Sequence, residues 1–190
     1  LHDGFGSGEM SWQKEIDELH HRSGLADKMG GADKVARQHE FGKYTIRERI
    51  DKICDDTSFH EIGKVAGVAE YDGNGDLKGF VPSNFVFGTA EISDRPLILS
   101  GDDFTVRGGS ADASISAKRH QAEGLALELR LPHVRLVDGM GGGGSVKTIE
   151  TSGRTYIPAV AGWDTVVNHL SVAPSVSLAL GSVAGIGAAR

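Results

Sequence analysis

Two hydrophobic rhythms divide the chain. Up to about residue 56 apolar positions recur every three or four residues, as in amphipathic helices; from Phe59 on they gather into short runs separated by turn residues, as in strands. In 11–22, SWQKEIDELHHR, Trp12, Ile16 and Leu19 share one helical face, with Ser11 as N-cap and Lys14 and Glu15 in the first turn. Gly30 and Gly31 interrupt, and a second helix is expected over 32–40. Thr45 and Glu48 have capping-box spacing and open a third helix through about Ile53. A strand is expected over 62–71, turn chemistry at Asp72–Asp76 (DGNGD), and strands over 84–92 and 96–100 joined at Ser93, Asp94 and Arg95. The pattern continues as a strand over 102–106 into a glycine turn at Arg107–Ser110. It then gives the longest helix, 113–130, with Ile115, Ala122, Leu125 and Leu129 inward. After it come a buried strand at 134–137, a helical or partly irregular segment at 146–157 punctuated by Pro158, and a helix at 163–170. A buried strand at 175–180 leads into a third glycine turn at 181–187.

Strand, glycine turn and helix therefore follow one another three times, near 102–130, 134–152 and 175–190, which predicts stacked ββα-like turns with loops converging on one site. The central loop is the most pronounced. In LVDGMGGGGS (136–145) an apolar run ends at Asp138 and five of the next six residues are Gly. Glycine lets backbone N–H groups approach a ligand, and a helix start concentrates unpaired N–H donors, so this loop suits an anion or a developing oxyanion. A phosphate-binding P-loop would need Lys directly after the last Gly; here Ser145 and Val146 intervene and swing Lys147 roughly 200° around the helix. A flexible glycine linker is the plain alternative.

Composition narrows the function classes. With 190 residues, 39% hydrophobic and 24% charged, the chain has material for one substantial core. The net charge of −6 argues against a general nucleic-acid or anionic-membrane surface, leaving room for a local basic site. A single cysteine, Cys54, excludes an intrachain disulfide framework and a Cys-rich zinc site, and reads as a buried thiol. No apolar run reaches the roughly 18 residues of a membrane span, and the first ten residues lack signal-peptide order, so a cytoplasmic or matrix-type protein is expected. Residues 1–10 read as a disordered leader, with Met10 a candidate start, and 11–56 as a helical arm. The chain stops within a helical pattern, so it is expected to be the first part of a longer protein.

Candidate chemistry is sparse. His20 and His21 are adjacent and point in different directions, unlike a metal pair, and DGNGD lacks the final Glu of a calcium loop. Arg37, Lys43, Arg47 and Arg49 make the arm locally basic, either as solvated charge paired with Glu48, Asp51 and Asp55 or as a phosphate-contacting arm. Asp102, Asp103 and Asp138 are expected to cap backbone donors, and His133 to be structural.

Taken together the motifs resemble the carboxyltransferase (β) subunits of biotin-dependent acyl-CoA carboxylases, the propionyl-, acetyl-, methylcrotonyl- and geranyl-CoA group. The matching stretches are GKYTIRERID (42–51), SFHEIG (58–63), GDDFTVRGGS (101–110), LPHVRLVDGMGGGG (131–144) and PSVSLALGSVAGIGAA (174–189). The resemblance implies an α/β fold, the ClpP/crotonase-like spiral of ββα units, with 57–190 as an incomplete acyl-CoA-binding N-terminal carboxyltransferase domain. The C-terminal carboxyltransferase domain would lie beyond it, so the fragment alone is expected to be inactive. It further implies a dimer-based hexamer, a biotin carboxylase and biotin carrier partner in an ATP-dependent ligase holoenzyme, and carboxyl transfer from carboxybiotin to the α-carbon of an acyl-CoA. By motif match Gly142 and Gly143 stand at the oxyanion pair and Ala184 and Gly185 at the second glycine turn, with biotin itself taking the α-proton. CoA would meet Ala184, Gly108, Gly109, Lys118, Arg37, Lys43 and Arg47; no metal, nucleic acid or membrane is implied. Relatives often read D-S-G-G-A-R where this chain has Asp138-Gly-Met-Gly-Gly-Gly-Gly-Ser, and the segment after it is longer than in propionyl-type enzymes, so the acyl group stays open. Other readings are a different crotonase-fold CoA enzyme (a biotin-dependent decarboxylase subunit or a hydratase), a ClpP-like serine hydrolase using Ser145 or Ser182 with His120 or His133, and a non-catalytic assembly module.

Overall fold

The computed structural model describes residues 12–110, 115–139, 146–154 and 162–183. Helices α1 (Gln13–Asp27), α2 (Ala32–Glu40) and α3 (Ile46–Ile53) come first. Strands β1 (His60–Glu61), β2 (Gly67–Tyr71), β3 (Leu77–Pro82), β4 (Phe85–Ile92) and β5 (Arg95–Asp102) follow. The chain then alternates α4 (Ser116–Leu129), β6 (His133–Val137), α5 (Val146–Ser152), α6 (Trp163–Leu170) and β7 (Ser175–Ala179).

One five-stranded sheet, in the order β1-β4-β5-β6-β7, organises these elements, and β2–β3 form a separate hairpin. β4 is antiparallel to β1 and β5, whereas β5, β6 and β7 run parallel. Alternation along the strands fills two cores. Val86, Ala90, Leu97, Leu99 and Leu136 face α3, whose Ile46 and Ile50 complete that cluster. Phe85 and Phe87 point the other way onto Ala122 of α4. The sheet is thus covered by α3 on one side and α4 on the other, and α6 packs beside α4.

Local chemistry explains the accurate boundaries. Thr45 Oγ1 accepts the Glu48 N–H while the Glu48 carboxylate accepts the Thr45 N–H, the reciprocal cap expected for α3. Asp72 Oδ1 accepts the N–H groups of Asn74 and Asp76 and closes the β2–β3 turn; those backbone bonds hold its carboxyl below the usual carboxylate range.

Several expectations change. Of the 62–71 stretch only 67–71 is a strand: the chain turns at Gly63 (φ +66°), separating β1, just before the stretch and in the main sheet, from β2, which pairs with β3, a strand that the pattern did not predict. The strand expected over 102–106 is not formed beyond Asp102, which ends β5. The Asp103 carboxylate accepts the N–H and hydroxyl of Thr105, turning the chain into a 3-10 turn at Arg107–Gly109. α1, at 15 residues, is longer than α4 at 14, and it is capped at Trp12 rather than Ser11. Its Trp12, Ile16 and Leu19 face solvent, because α1 reaches β3 from its C-terminal half, where Ala26 is buried. Leu129 is half-exposed, since the buried stripe of α4 runs Lys118–Ala122–Ala126. β7 is largely exposed rather than buried: it pairs with β6 on one side only and ends the described sheet.

Candidate active site

Parallel strands bring their C-terminal ends to one edge of a sheet, where ligands of α/β proteins gather. Here β5 runs into the turn that carries Gly108 and Gly109, β6 into Asp138–Gly139, and β7 into Gly181. The three turns touch. Gly109 has φ +65°, and a Cβ there would stand 2.8 Å from the Gly139 Cα, so the two backbones meet at a distance only glycine permits. Gly181 presses on the Asp138 carboxylate, and any side chain at 181 would displace it.

Asp138 is fully buried and is an ion-pair partner rather than the expected cap. Its Oδ2 accepts from Arg49 Nη2 at 2.6 Å and from Gln38 Nε2 at 3.4 Å. Its Oδ1 has no hydrogen-bond donor and faces Lys43 Nζ at 3.5 Å. Asp102 Oδ1 accepts from Arg119 Nη2 at 3.0 Å, while its Oδ2 takes the Asp138 N–H at 3.4 Å. Burial pushes the Asp103 carboxyl up, against the pull of Thr105 and of Arg47 and Arg49.

Beside this junction lies a cavity of about 530 Å³ between α2 and the 104–108 turn. Lys34, Arg37 and Arg107 line it together with Phe41 and Phe104, and Lys43 Nζ stands 5.3 Å from the Phe104 ring centroid. Cationic groups over aromatic faces hold a flat, anionic ligand well.

Of the residues singled out from the sequence, Arg37, Lys43 and Gly108 line this cavity, and Gly109 lies at the turn contact behind it. Arg47 and Lys118 are elsewhere. Arg47 pairs with Glu61 at 2.8 Å and Asp27 at 3.6 Å, so neither Glu48, Asp51 nor Asp55 is the partner of the arm's arginines in these pairs. Lys118 is 5% exposed with Nζ 5.9 Å from the Phe87 ring centroid, and burial lowers its ammonium to about 8 against the attraction of Glu61. Gly142, Gly143, Ala184, Gly185 and Ser145 lie outside the described residues. His133 opens β6, at the far end from Asp138, and its Nε2 bonds Ser100 Oγ at 2.9 Å; burial first, then the charge of Arg135, drives its ring down to about 3. It is structural and not placed to serve Ser182. Cys54 is half-buried, and burial with Asp55 and Asp51 raises its thiol to about 11, an inert group. Asp55, Glu91 and Asp94 gather carboxylates, but both Asp55 oxygens accept backbone N–H groups of Ser93 and Asp94.

The sequence reading passed over Phe104, Arg107, Lys34 and Phe41. The available signal was an aromatic set within an Asp- and Gly-rich turn, Asp102-Asp103-Phe104-Thr105-Val106-Arg107-Gly108.

Comparisons agree with this geometry. The family described as carboxyl transferase domain matches residues 37–189. Methylmalonyl-CoA decarboxylase subunit alpha of Veillonella parvula is 29% identical over 177 residues, 91% of this chain and 33% of that protein. The propionyl-CoA carboxylase carboxyltransferase subunit of Haloferax mediterranei is 32% identical over 132 residues, 70% of this chain and 26% of that one. Among solved structures, transcarboxylase 12S with methylmalonyl-CoA and methylmalonic acid bound superposes with a TM-score of 0.58 at 27% identity, covering 83% of this chain and 28% of the other. The geranyl-CoA carboxylase beta subunit of P. aeruginosa shares the fold at TM-score 0.55 and 16% identity, over 93% of this chain and 33% of the other. The chain spans about a third or less of the length of these relatives. The α/β, crotonase-like architecture expected from the motifs is the one these neighbours share. With its three glycine turns meeting at the C-terminal edge of the parallel strands and a family match over most of its length, the chain belongs to the carboxyl transferase domain family.

Proposed function

We propose that this chain is the acyl-CoA-binding part of the carboxyltransferase component of a biotin-dependent acyl-CoA carboxylase. The observation that carries this reading is the convergence of three glycine turns beside a cavity lined by Arg37, Lys43, Arg107 and Phe104. The cavity suits the phosphates and adenine of CoA, with Gly108 and Gly109 bringing backbone close to the ligand. Arg47 and Lys118 support the surrounding structure rather than the ligand. Residues 11–56 act as the arm that closes one wall of the cavity, and 57–190 as the crotonase-like domain.

Removing a proton α to a thioester creates an enolate, and backbone N–H donors aimed at its oxygen supply ~3 kcal/mol each. Gly142 and Gly143 are the proposed first donors and the Ala184–Gly185 turn the second. Carboxybiotin on the partner supplies the transferable carboxyl group. The carboxylates nearest the turns fit a reaction whose base arrives with that group. Asp138, Asp102 and Asp103 are all buried and engaged by Arg49, Arg119 and Thr105 respectively, which supports a base from outside this set. A dimer-based hexamer is the proposed assembly, supported by likeness to transcarboxylase 12S, described as a hexamer.

The test uses the full-length reading frame co-expressed with its biotin-carrying partner. ATP-dependent fixation of labelled bicarbonate onto acetyl-, propionyl-, methylcrotonyl- or geranyl-CoA is expected and names the substrate. A biotinylated complex that carboxylates none of these, yet releases CO2 from methylmalonyl-CoA, would replace the reading with a decarboxylase.

A further inference from the structure

All three glycine turns reach one buried carboxylate. Asp138 ends β6, Gly181 at the end of β7 packs on its Oδ1, and Gly109 beyond β5 packs on the adjoining Gly139. The arm reaches the same group through Gln38, Lys43 and Arg49. Asp102, hydrogen-bonded to the Asp138 N–H and paired with Arg119, locks the backbone from below. No part of Asp138 is exposed, so it cannot touch a substrate.

A buried ion pair is a poor device for stability alone, since apolar packing of similar volume does as well or better. Its use at the meeting point of three turns answers a different need. The Asp138 carboxylate is held at Oδ2 by Arg49 and Gln38 and approached at Oδ1 by Lys43, directional contacts that an aliphatic plug lacks. With Gly181 against Oδ1, the carboxylate cannot rotate without moving the β7 turn. Arg49 and Lys43 approach the two oxygens of Asp138 from the arm, so one carboxylate joins α3 and the α2–α3 link to the end of β6.

We propose that Asp138, held by Arg49 and Lys43, is a positioning residue for carboxyl transfer: it sets the mutual spacing of Gly109, Gly139 and Gly181, the glycines beyond the C-terminal ends of β5, β6 and β7. This rests on the carboxyltransferase reading above. Turnover that falls much further than binding is the mark of such a residue, since Lys43 and Gln38 of the same cluster also line the cavity.

The experiment uses the full-length chain assembled with its biotin-carrying partner. In Asp138→Asn, kcat is expected to fall roughly 10- to 100-fold, the loss typical of small misplacement, while KM for the acyl-CoA stays within about threefold. Arg49→Lys keeps the charge without the fork and is expected to lose less. If Asp138→Asn does not fold, the apolar pair Asp138→Leu with Arg49→Met keeps the test open, and the expected outcome is a folded, slow enzyme with unchanged KM. A folded variant with kcat within twofold of wild type, or a loss carried wholly by KM, overturns the proposal. Hydrogen exchange reads the same coupling without turnover. In Asp138→Asn or the apolar pair, peptides covering 107–110 and 181–183 should lose protection together while those of α6 do not. Unchanged protection overturns the positioning role even where the wild-type complex carboxylates nothing, an outcome that separately removes the functional reading.

Discussion

Arg49 Nη2 lies 2.6 Å from Asp138 Oδ2, joining residues 89 positions apart with both side chains buried. The bond ties α3 to the end of β6, and Ile46 and Ile50 on the same helix enter the core shared with β4, β5 and β6. The basic tract of the arm is thus partly internal wiring and partly cavity wall.

Breaking that pair from one side leaves a buried charge without compensation. Arg49→Met is expected to destabilise the chain by about 3–5 kcal/mol, read as a lowered urea midpoint. Arg49→Met with Asp138→Leu should recover most of the loss. A double variant no better than the single would show that the pair is not the dominant partner for either group.

Gly30 docks the arm onto the site turn. Its N–H donates to Thr105 Oγ1 at 2.9 Å, and a Cβ there would collide with the Thr105 carbonyl, which is backbone and cannot swing aside. Gly30→Ala should cost about 1–3 kcal/mol and loosen α1 and α2, seen as faster proteolysis within 12–40. Thr105→Val, which removes the acceptor for Gly30 together with the hydroxyl bond to Asp103, should loosen the same segment without the steric clash.

The cavity wall predicts a graded loss of CoA-ester affinity. A charge-assisted contact from Arg37 or Arg107 is worth about 1.5–3 kcal/mol, so Arg37→Ala should weaken binding roughly 10- to 100-fold in titration calorimetry and flatten its salt dependence. Phe104→Ala removes the aromatic floor beside Lys43 and should weaken binding at any salt concentration. Arg47→Ala, remote from the cavity, should alter stability and leave affinity near wild type.

His133 makes stability pH-dependent in acid. Its folded ring protonates near 3 whereas the ordinary value is 6.5. Between those values the unfolded chain binds the extra proton, so stability falls as pH drops, by up to about 1.4 kcal/mol per unit. Denaturation midpoints from pH 7 to pH 4 should show this slope, and His133→Gln should flatten it.

Lys118 acts at the alkaline side. Its folded value of about 8 lies below the ordinary 10.5, so the unfolded chain holds more protons between them and stability rises with pH through that window. Lys118→Met should remove the rise and stabilise the protein at pH 7. If the same variant loses CoA-ester affinity, Lys118 reaches the ligand after all.

What the sequence determined by itself is local. The Thr45–Glu48 cap, the DGNGD turn and the helix Trp163–Leu170 depend on chemistry within four or so residues and were legible, as was the Ser93-Asp94 reversal, to which the distant Asp55 adds its carboxylate. The succession of strand, glycine turn and helix was legible for the same reason. Tertiary structure decided everything that depends on who meets whom. Asp103 bends 102–106 out of a strand register, β3 exists because β2 pairs with it, and Asp138 takes its partners from α2, the α2–α3 link and α3. Of the seven expected CoA contacts, Ala184 lies outside the described residues and Arg37, Lys43 and Gly108 line the cavity, while Arg47 is turned away by its pairing with Glu61. Arg47 has Glu61, Arg49 has Asp138 and Arg37 has the open face of Phe41, a distinction that residue type and spacing do not encode.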